Sequence, residues 1–468
     1  MAGPARPGQH LGITVMPEYV QNEGIEAVLD RFEKLGVTTV TTMPSVAAEV
    51  PEGQGSREPP IDGGAGGVRV LDRPLWGKHA LHIVTAPSFA PNRSLYSGLV
   101  YQPPEPTALT DREGPLVGRF IAAAKSRGMT VFLQVMAAIP PCFRVQFGGP
   151  RDTDRPMLPG AVPLGKRVDN NASLAAADLR AYVRVMVADL LAAYPEVDGI
   201  RFDWPEYPPY HPLSLLADYN PQVRPYAEAA GIDFERLERA MLALTARLPD
   251  IWTVLSATTY FATTLDRLIE IEPALADHLA LRRLLVADHA RHLRTAVAAA
   301  GGGRHKVFLQ GFPPPWNTLS GFDLPAMAAQ SDLIGIKFYT MHWPMMLRSY
   351  VEYIAAQGGG DRDALARSIQ AMFVPGGQPV AGFEGLAYPE PDVPHGVGAG
   401  VVAAKLADAA RRAPDLIAIT HGYGPIEDVT GRFVAAWRAT NGRVEINRYG
   451  YLSDAKIDAL AAARQRLQ

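Results

Sequence analysis

The feature that most constrains this chain is an alternation. Short apolar runs recur eight times, separated by longer stretches with the three-to-four-residue spacing of an amphipathic helix. The runs fall at 11–18, 37–43, 129–137, 199–204, 306–312, 333–340, 379–384 and 416–421. Helices are expected between them, among them one through Ile25, Val28, Leu29, Phe32 and Leu35 that Gly36 ends, one over 116–127 capped by Gly128, and a long one over 264–300. Most of the strand runs are apolar on both faces, as strands of a buried parallel sheet are. Eight strand–helix units predict an α/β fold, a (β/α)8 TIM barrel.

An open doubly wound sheet is the competing fold, and it calls for a Gly-rich phosphate turn after the first strand. Here that turn reads MPEYVQNEG, and the glycine run at 63–67 follows no strand and opens no helix, so it reads as a flexible loop. The 468 residues are therefore assigned to one barrel domain, 1–468. Two Pro/Gly-rich stretches interrupt the alternation, 44–115 after strand two and 139–172 after strand three; the first is expected to act as a lid. The segment 441–468 is expected to pack on the outside as a C-terminal extension.

Charge narrows the partners. With 45 Lys and Arg against 48 Asp and Glu, the net charge of −3 carries no basic excess for nucleic acid or an anionic membrane. A small neutral or mildly charged molecule is the expected partner, and a homo-oligomer is left open. Cys142 is the only cysteine, so an internal disulfide is excluded, as is a thiolate zinc cluster. No resident metal or other cofactor is expected. The first ten residues lack the apolar core of a secretory signal and no run is long enough to span a bilayer, so the expected location is cytoplasmic.

Barrel enzymes work at the C-terminal ends of their strands, so the polar residues at the strand ends are the candidate site. GIRFDWPEYPPY, 199–210, is the richest of these ends. Ile200 and Phe202 are expected to face the helices, with Arg201 and Asp203 toward the axis. The other strand ends contribute Glu18, Gln310, Lys337, Tyr339, Glu384, His421 and Tyr423, with His342 close behind. Trp204, Tyr207, Trp316 and Trp343 fall just after strands, where an aromatic face can stack on a pyranose ring. This reads as a carbohydrate site. Two carboxyl groups can then flank a glycosidic bond: Glu206 as acid/base, with Glu384 or Asp203 as nucleophile. A cation near Asp203, either Arg201 or Lys337, would hold it ionised.

VDGIRFDWPEYPPY resembles the strand-four signature of glycosyl-hydrolase-like barrel families. The GIRFD portion is similar to the α-amylase strand-four motif, which implies Asp203 as nucleophile and Arg201 as its support; Tyr207 stands where amylases have His, and Gln310 where they have their acid. A Glu after strand four and another at strand seven is similar to the large retaining-glycosidase clan. That implies Glu206 as acid/base and Glu384 as nucleophile, although Pro205 replaces the clan's Asn. The function expected is hydrolysis of a small glycoside or oligosaccharide.

Three other readings share the barrel. A metal-dependent sugar isomerase or epimerase would use Glu18, Asp203, Glu206, Glu384, His342 and His421 as its donor shell. A Schiff-base lyase would use Lys337. A non-enzymatic carbohydrate-binding protein would keep its ligand affinity in Glu384→Gln and show no turnover.

Overall fold

The computed structural model describes residues 8–61, 67–141, 143–165, 170–247, 260–358 and 360–467. Cys142 and most of the glycine run at 63–67 lie outside them.

Eight parallel strands close a barrel. They are β1 (His10–Thr14), β2 (Thr39–Thr42), β3 (Thr130–Met136), β4 (Gly199–Asp203), β5 (Lys306–Gly311), β6 (Leu333–Phe338), β7 (Ile417–His421) and β8 (Arg443–Asn447). Each pairs with the next, and β8 returns to β1, with His10 beside Arg443 and Thr14 beside Asn447. The helices follow their apolar spacing. Ile25–Leu35 buries Val28, Leu29, Phe32 and Leu35 on one stripe. It ends at Gly36 with φ 79°, where a Cβ would also run into the Arg464 guanidinium. The long helix expected over 264–300 is two helices, Phe261–Ile271 and Ala274–Gly301, separated at Glu272–Pro273.

The seventh and eighth strands correct the sequence reading. Residues 379–384 form no strand; Phe383–Gly385 is a single 3₁₀ turn in an irregular segment. The run at 416–421 is therefore the seventh strand. Arg443–Asn447, expected in an outer extension, is the eighth and closes the barrel, after which the helix Asp454–Leu467 packs beside Ile25–Leu35. Val444 and Ile446 alternate with Glu445 as a strand should, but Glu445 made the run look solvent-exposed.

Glu445 is tolerated because the barrel interior is built around it. Phe132, Phe308, Ile417 and Ile419 form a closed apolar cluster inside the barrel. The Arg201 guanidinium lies over the Phe308 ring, 5.0 Å from its centre. Arg201 Nη1 lies 2.5 Å from Glu445 Oε2, and His10 Nε2 lies 3.0 Å from Glu445 Oε1. Gln310, Thr14 and Thr41 accept the remaining Arg201 donors at 2.6–3.3 Å. Burial alone would raise the Glu445 carboxyl, but Arg201 and His10 together outweigh it and hold the group below its usual value. Gly12 on β1 leaves this side chain its room, since a Cβ there would collide with it.

The insertion after β2 builds a three-stranded antiparallel sheet from Ser45–Val50, Leu81–Pro87 and Ser56–Glu58. Its residues Glu58, Pro60 and Arg69 line the same cavity as the last residues of β1, β3, β4, β7 and β8. That shared cavity marks the C-terminal mouth of the barrel.

Candidate active site

Asp203 ends β4, and its side chain keeps 17 % of its surface exposed. Its Oδ1 accepts the Trp204 backbone N–H at 2.9 Å and lies 3.3 Å from Lys337 Nζ. Gln134 Nε2 reaches Oδ2 at 3.5 Å. Trp204 sits at φ 51°, a left-handed conformation that costs a side-chain-bearing residue of order 1 kcal/mol and collects at functional sites. Asn171 fixes the turn by donating to the Trp204 carbonyl at 3.1 Å and the Glu206 carbonyl at 2.8 Å.

Glu206 faces away from the mouth. It is fully buried; its Oε1 accepts the Phe312 backbone N–H at 2.9 Å and its Oε2 the Ser320 hydroxyl at 2.5 Å. Lys337 Nζ lies 3.9 Å from Oε1. Burial pushes this carboxyl up to about 7, against the pull of Lys337 and of the two hydrogen bonds. Lys337, 1 % exposed, stands between the two carboxyl groups, with the Phe312 ring centre 4.2 Å from its Nζ.

Three arginines line the cavity: Arg69 from the insertion after β2, Arg144 from the loop after β3, and Arg448 just beyond β8. Arg448 bonds Glu58, Arg144 bonds Glu18, and Arg144 Nη1 lies 3.8 Å from Glu58 Oε2. Burial by itself would lower the Arg448 guanidinium, but Glu58 together with Tyr451, Tyr19 and Glu18 raises it. Arg69 Nη1 approaches His342 Nε2 at 3.4 Å. An arginine can only donate, so that nitrogen accepts, and His342 Nδ1 carries the proton toward the Tyr210 hydroxyl at 3.3 Å. His421 Nδ1 accepts the Tyr423 N–H at 3.1 Å, which leaves the proton on Nε2. Burial, with nearby His342 and Arg69, holds His421 well below its ordinary value, so the ring is neutral.

Of the residues singled out from the sequence, Asp203, Trp204, Tyr339, His342 and His421 line this cavity. Others lie behind it. Arg201 and Gln310 are enclosed in the barrel interior, Glu18 is buried against Arg144, and Glu206 and Lys337 are shut off beneath Asp203. Tyr207 is buried with its hydroxyl 3.3 Å from Asp218; Tyr423 donates to the Pro389 carbonyl. Trp316 and Trp343 pack on each other and on Lys405.

Glu384 is a correction. It sits on the surface turn, its side chain 86 % exposed, with Oε2 3.3 Å from Arg348 Nη1, and it does not reach the mouth. The two-carboxylate pairing expected across the barrel is therefore not assembled. The shell expected for a metal is scattered as well: among the described residues no three His, Cys, Asp or Glu side chains gather as metal ligands. The sequence reading missed Glu58, Arg69, Gln134, Arg144, Asn447, Arg448 and Tyr451 at the mouth. Asn447 and Arg448 would have been found had RVEIN been recognised as a strand. The insertion residues carried no local signal.

No helix among the described residues is long and apolar enough to cross a membrane. No family model matches the sequence, and no curated protein matches it. Solved structures do match in fold. A β-galactosidase from the psychrophilic Marinomonas ef1 is 12 % identical, with 97 % of this chain and 59 % of that one covered and a TM-score of 0.49. α-L-Fucosidase isoenzyme 2 from Paenibacillus thiaminolyticus is 10 % identical, covering 98 % and 49 %, with a TM-score of 0.45. The catalytic domain of a β-amylase from Paenibacillus polymyxa is 8 % identical, covering 98 % and 97 %, also at 0.45. The chain thus spans about half to three-fifths of the length of the first two.

Proposed function

We propose that this protein hydrolyses a glycosidic bond, with Asp203 as the carboxylate that meets the anomeric carbon. The observation that carries this reading is the placement of Asp203. It ends a barrel strand, is paired with a buried ammonium, and keeps an exposed face in a cavity walled by Trp204, Tyr210, Tyr339 and Tyr451. Aromatic walls suit the apolar faces of a sugar, and an anionic carboxylate suits the oxocarbenium charge that develops when the bond breaks. The barrel glycosidases that match in fold are compatible with this reading but do not carry it.

The arrangement departs from a two-carboxylate pair. Glu206 acts through Lys337 and not on the substrate, and Glu58, the other carboxylate on the wall, serves Arg448 and Arg144 as their counter-charge. The leaving oxygen also needs a proton, and the protic groups on the wall are the tyrosine hydroxyls together with His342 and His421. A lyase reaction through Lys337 has less support, since its Nζ is enclosed and engaged by Asp203.

The test is a screen of aryl glycosides of both anomeric configurations, with the first-formed product followed by NMR. Release of the aryl group with one defined anomer formed first is the expected result. An enzyme inert toward the whole panel, yet trapped by borohydride in the presence of a keto sugar, would replace this reading with the lyase.

A further inference from the structure

We infer that the sugar this cavity takes carries one negative charge, a carboxylate of the uronic-acid type, held by the arginines of the two insertions. The inference rests on the glycosidase reading above and names its substrate class.

A neutral sugar can be recognised by amides, hydroxyls and aromatic faces, and Gln134, Gln146, Asn447 and the tyrosines already supply these. Guanidinium groups are costly to bring together out of water. Here Arg69, Arg144 and Arg448 are each less than a tenth exposed, yet all three border one cavity. Arg57 stands just behind, its Nη2 donating to the Arg69 carbonyl at 2.8 Å. Burial, and then the charge of Arg69, lower the Arg57 guanidinium, which shows how closely the cations crowd. Planar forks of this kind match a carboxylate in two-point contact.

The charge on the wall selects the type of anion. With the buried groups that bond them included, Arg69, Arg144, Arg448 and Lys337 stand against Asp203, Glu58 and Glu18, an excess of one positive charge at the cavity wall. One carboxylate balances that excess. A phosphate dianion would overshoot it while lying close to two carboxylates.

The three arginines also come from three separate parts of the chain, and two of those parts are insertions into the barrel. The barrel alone would supply Asp203, Tyr339 and His421. The insertions supply the charge selectivity.

The experiment is calorimetric titration of the intact protein with glucuronate, galacturonate and mannuronate, each beside its neutral parent sugar and its 6-phosphate. At least one uronate should bind about tenfold or more tightly than its neutral parent, and more tightly than the phosphate. Raising the salt concentration should weaken that uronate and leave the neutral sugar unaffected. Arg69→Gln should remove most of the preference, with folding checked by circular dichroism.

Equal binding of uronate and neutral parent overturns the inference, and so does tighter binding of the phosphate. Should Arg69→Gln fail to fold, the unmodified protein alone still decides between these outcomes. The two readings fail separately. Uronate bound selectively with no aryl glycoside cleaved removes the hydrolase and keeps the anion site. Neutral glycosides cleaved with no uronate preference do the reverse.

Discussion

Lys337 stands between Asp203 and Glu206, its Nζ 3.3 Å from one carboxyl group and 3.9 Å from the other, and only Asp203 reaches the cavity. These two carboxyl groups, on either side of Trp204 and Pro205, are three residues apart in sequence and have different surroundings. One faces the cavity. The other orients the ammonium behind it.

Asp203→Asn keeps the size of the side chain and removes its charge. Turnover of the best aryl glycoside should fall by roughly a hundredfold to ten-thousandfold, and the melting temperature should fall as well, because the buried Lys337 is left with Glu206 alone as its counter-charge. Steady-state kinetics beside a thermal melt check this, and a near-normal rate would remove Asp203 from the chemistry.

Glu384→Ala should do almost nothing. The carboxylate is 86 % exposed and pairs with Arg348 on the surface. Exposed pairs of this kind contribute about 0–1 kcal/mol, so the rate should stay within about twofold and the unfolding midpoint should barely move. A large loss of turnover would show that the surface turn reaches the substrate.

Glu206 predicts a pH dependence of stability. Its carboxyl is raised from 4.5 to about 7 in the fold, so the native state holds the proton more tightly than the unfolded chain. Its favourable contribution is complete below 4.5, declines as pH rises, and is gone above about 7; the change is at most about 3 kcal/mol. Urea denaturation from pH 4.5 to 7.5 should show that decline in the native protein and less of it in Glu206→Gln. Identical slopes would contradict the assignment.

Arg201 and Glu445 form the charged centre of the barrel interior. Removing either one strands the other's charge, so Arg201→Met and Glu445→Gln should each destabilise by about 3–5 kcal/mol. The double variant Arg201→Met/Glu445→Gln should cost less than the two single effects added together. Chemical denaturation of all four proteins closes the cycle, and simple additivity would mean that the pair does not act as a unit.

The barrel class and seven of its eight strands were legible along the chain. Apolar strands and amphipathic helices are local patterns, readable within ten or fifteen residues, and eight such units admit few closures. The same alternation turned Asp203 toward the axis, where it is found. Tertiary structure decided what local pattern could not. Whether 379–384 or 443–447 is a strand depended on a charge inside the barrel: Glu445 is compatible with burial only because Arg201, some 240 residues earlier in the chain, meets it there. The split between Asp203 and Glu206 depended on Phe312 and Ser320, which close over one carboxyl group and not the other. The arginines at the mouth come from loops whose composition says only that they are loops. Burial and charge pairing join residues far apart in sequence, so the fold could be read along the chain while the site had to be read across it.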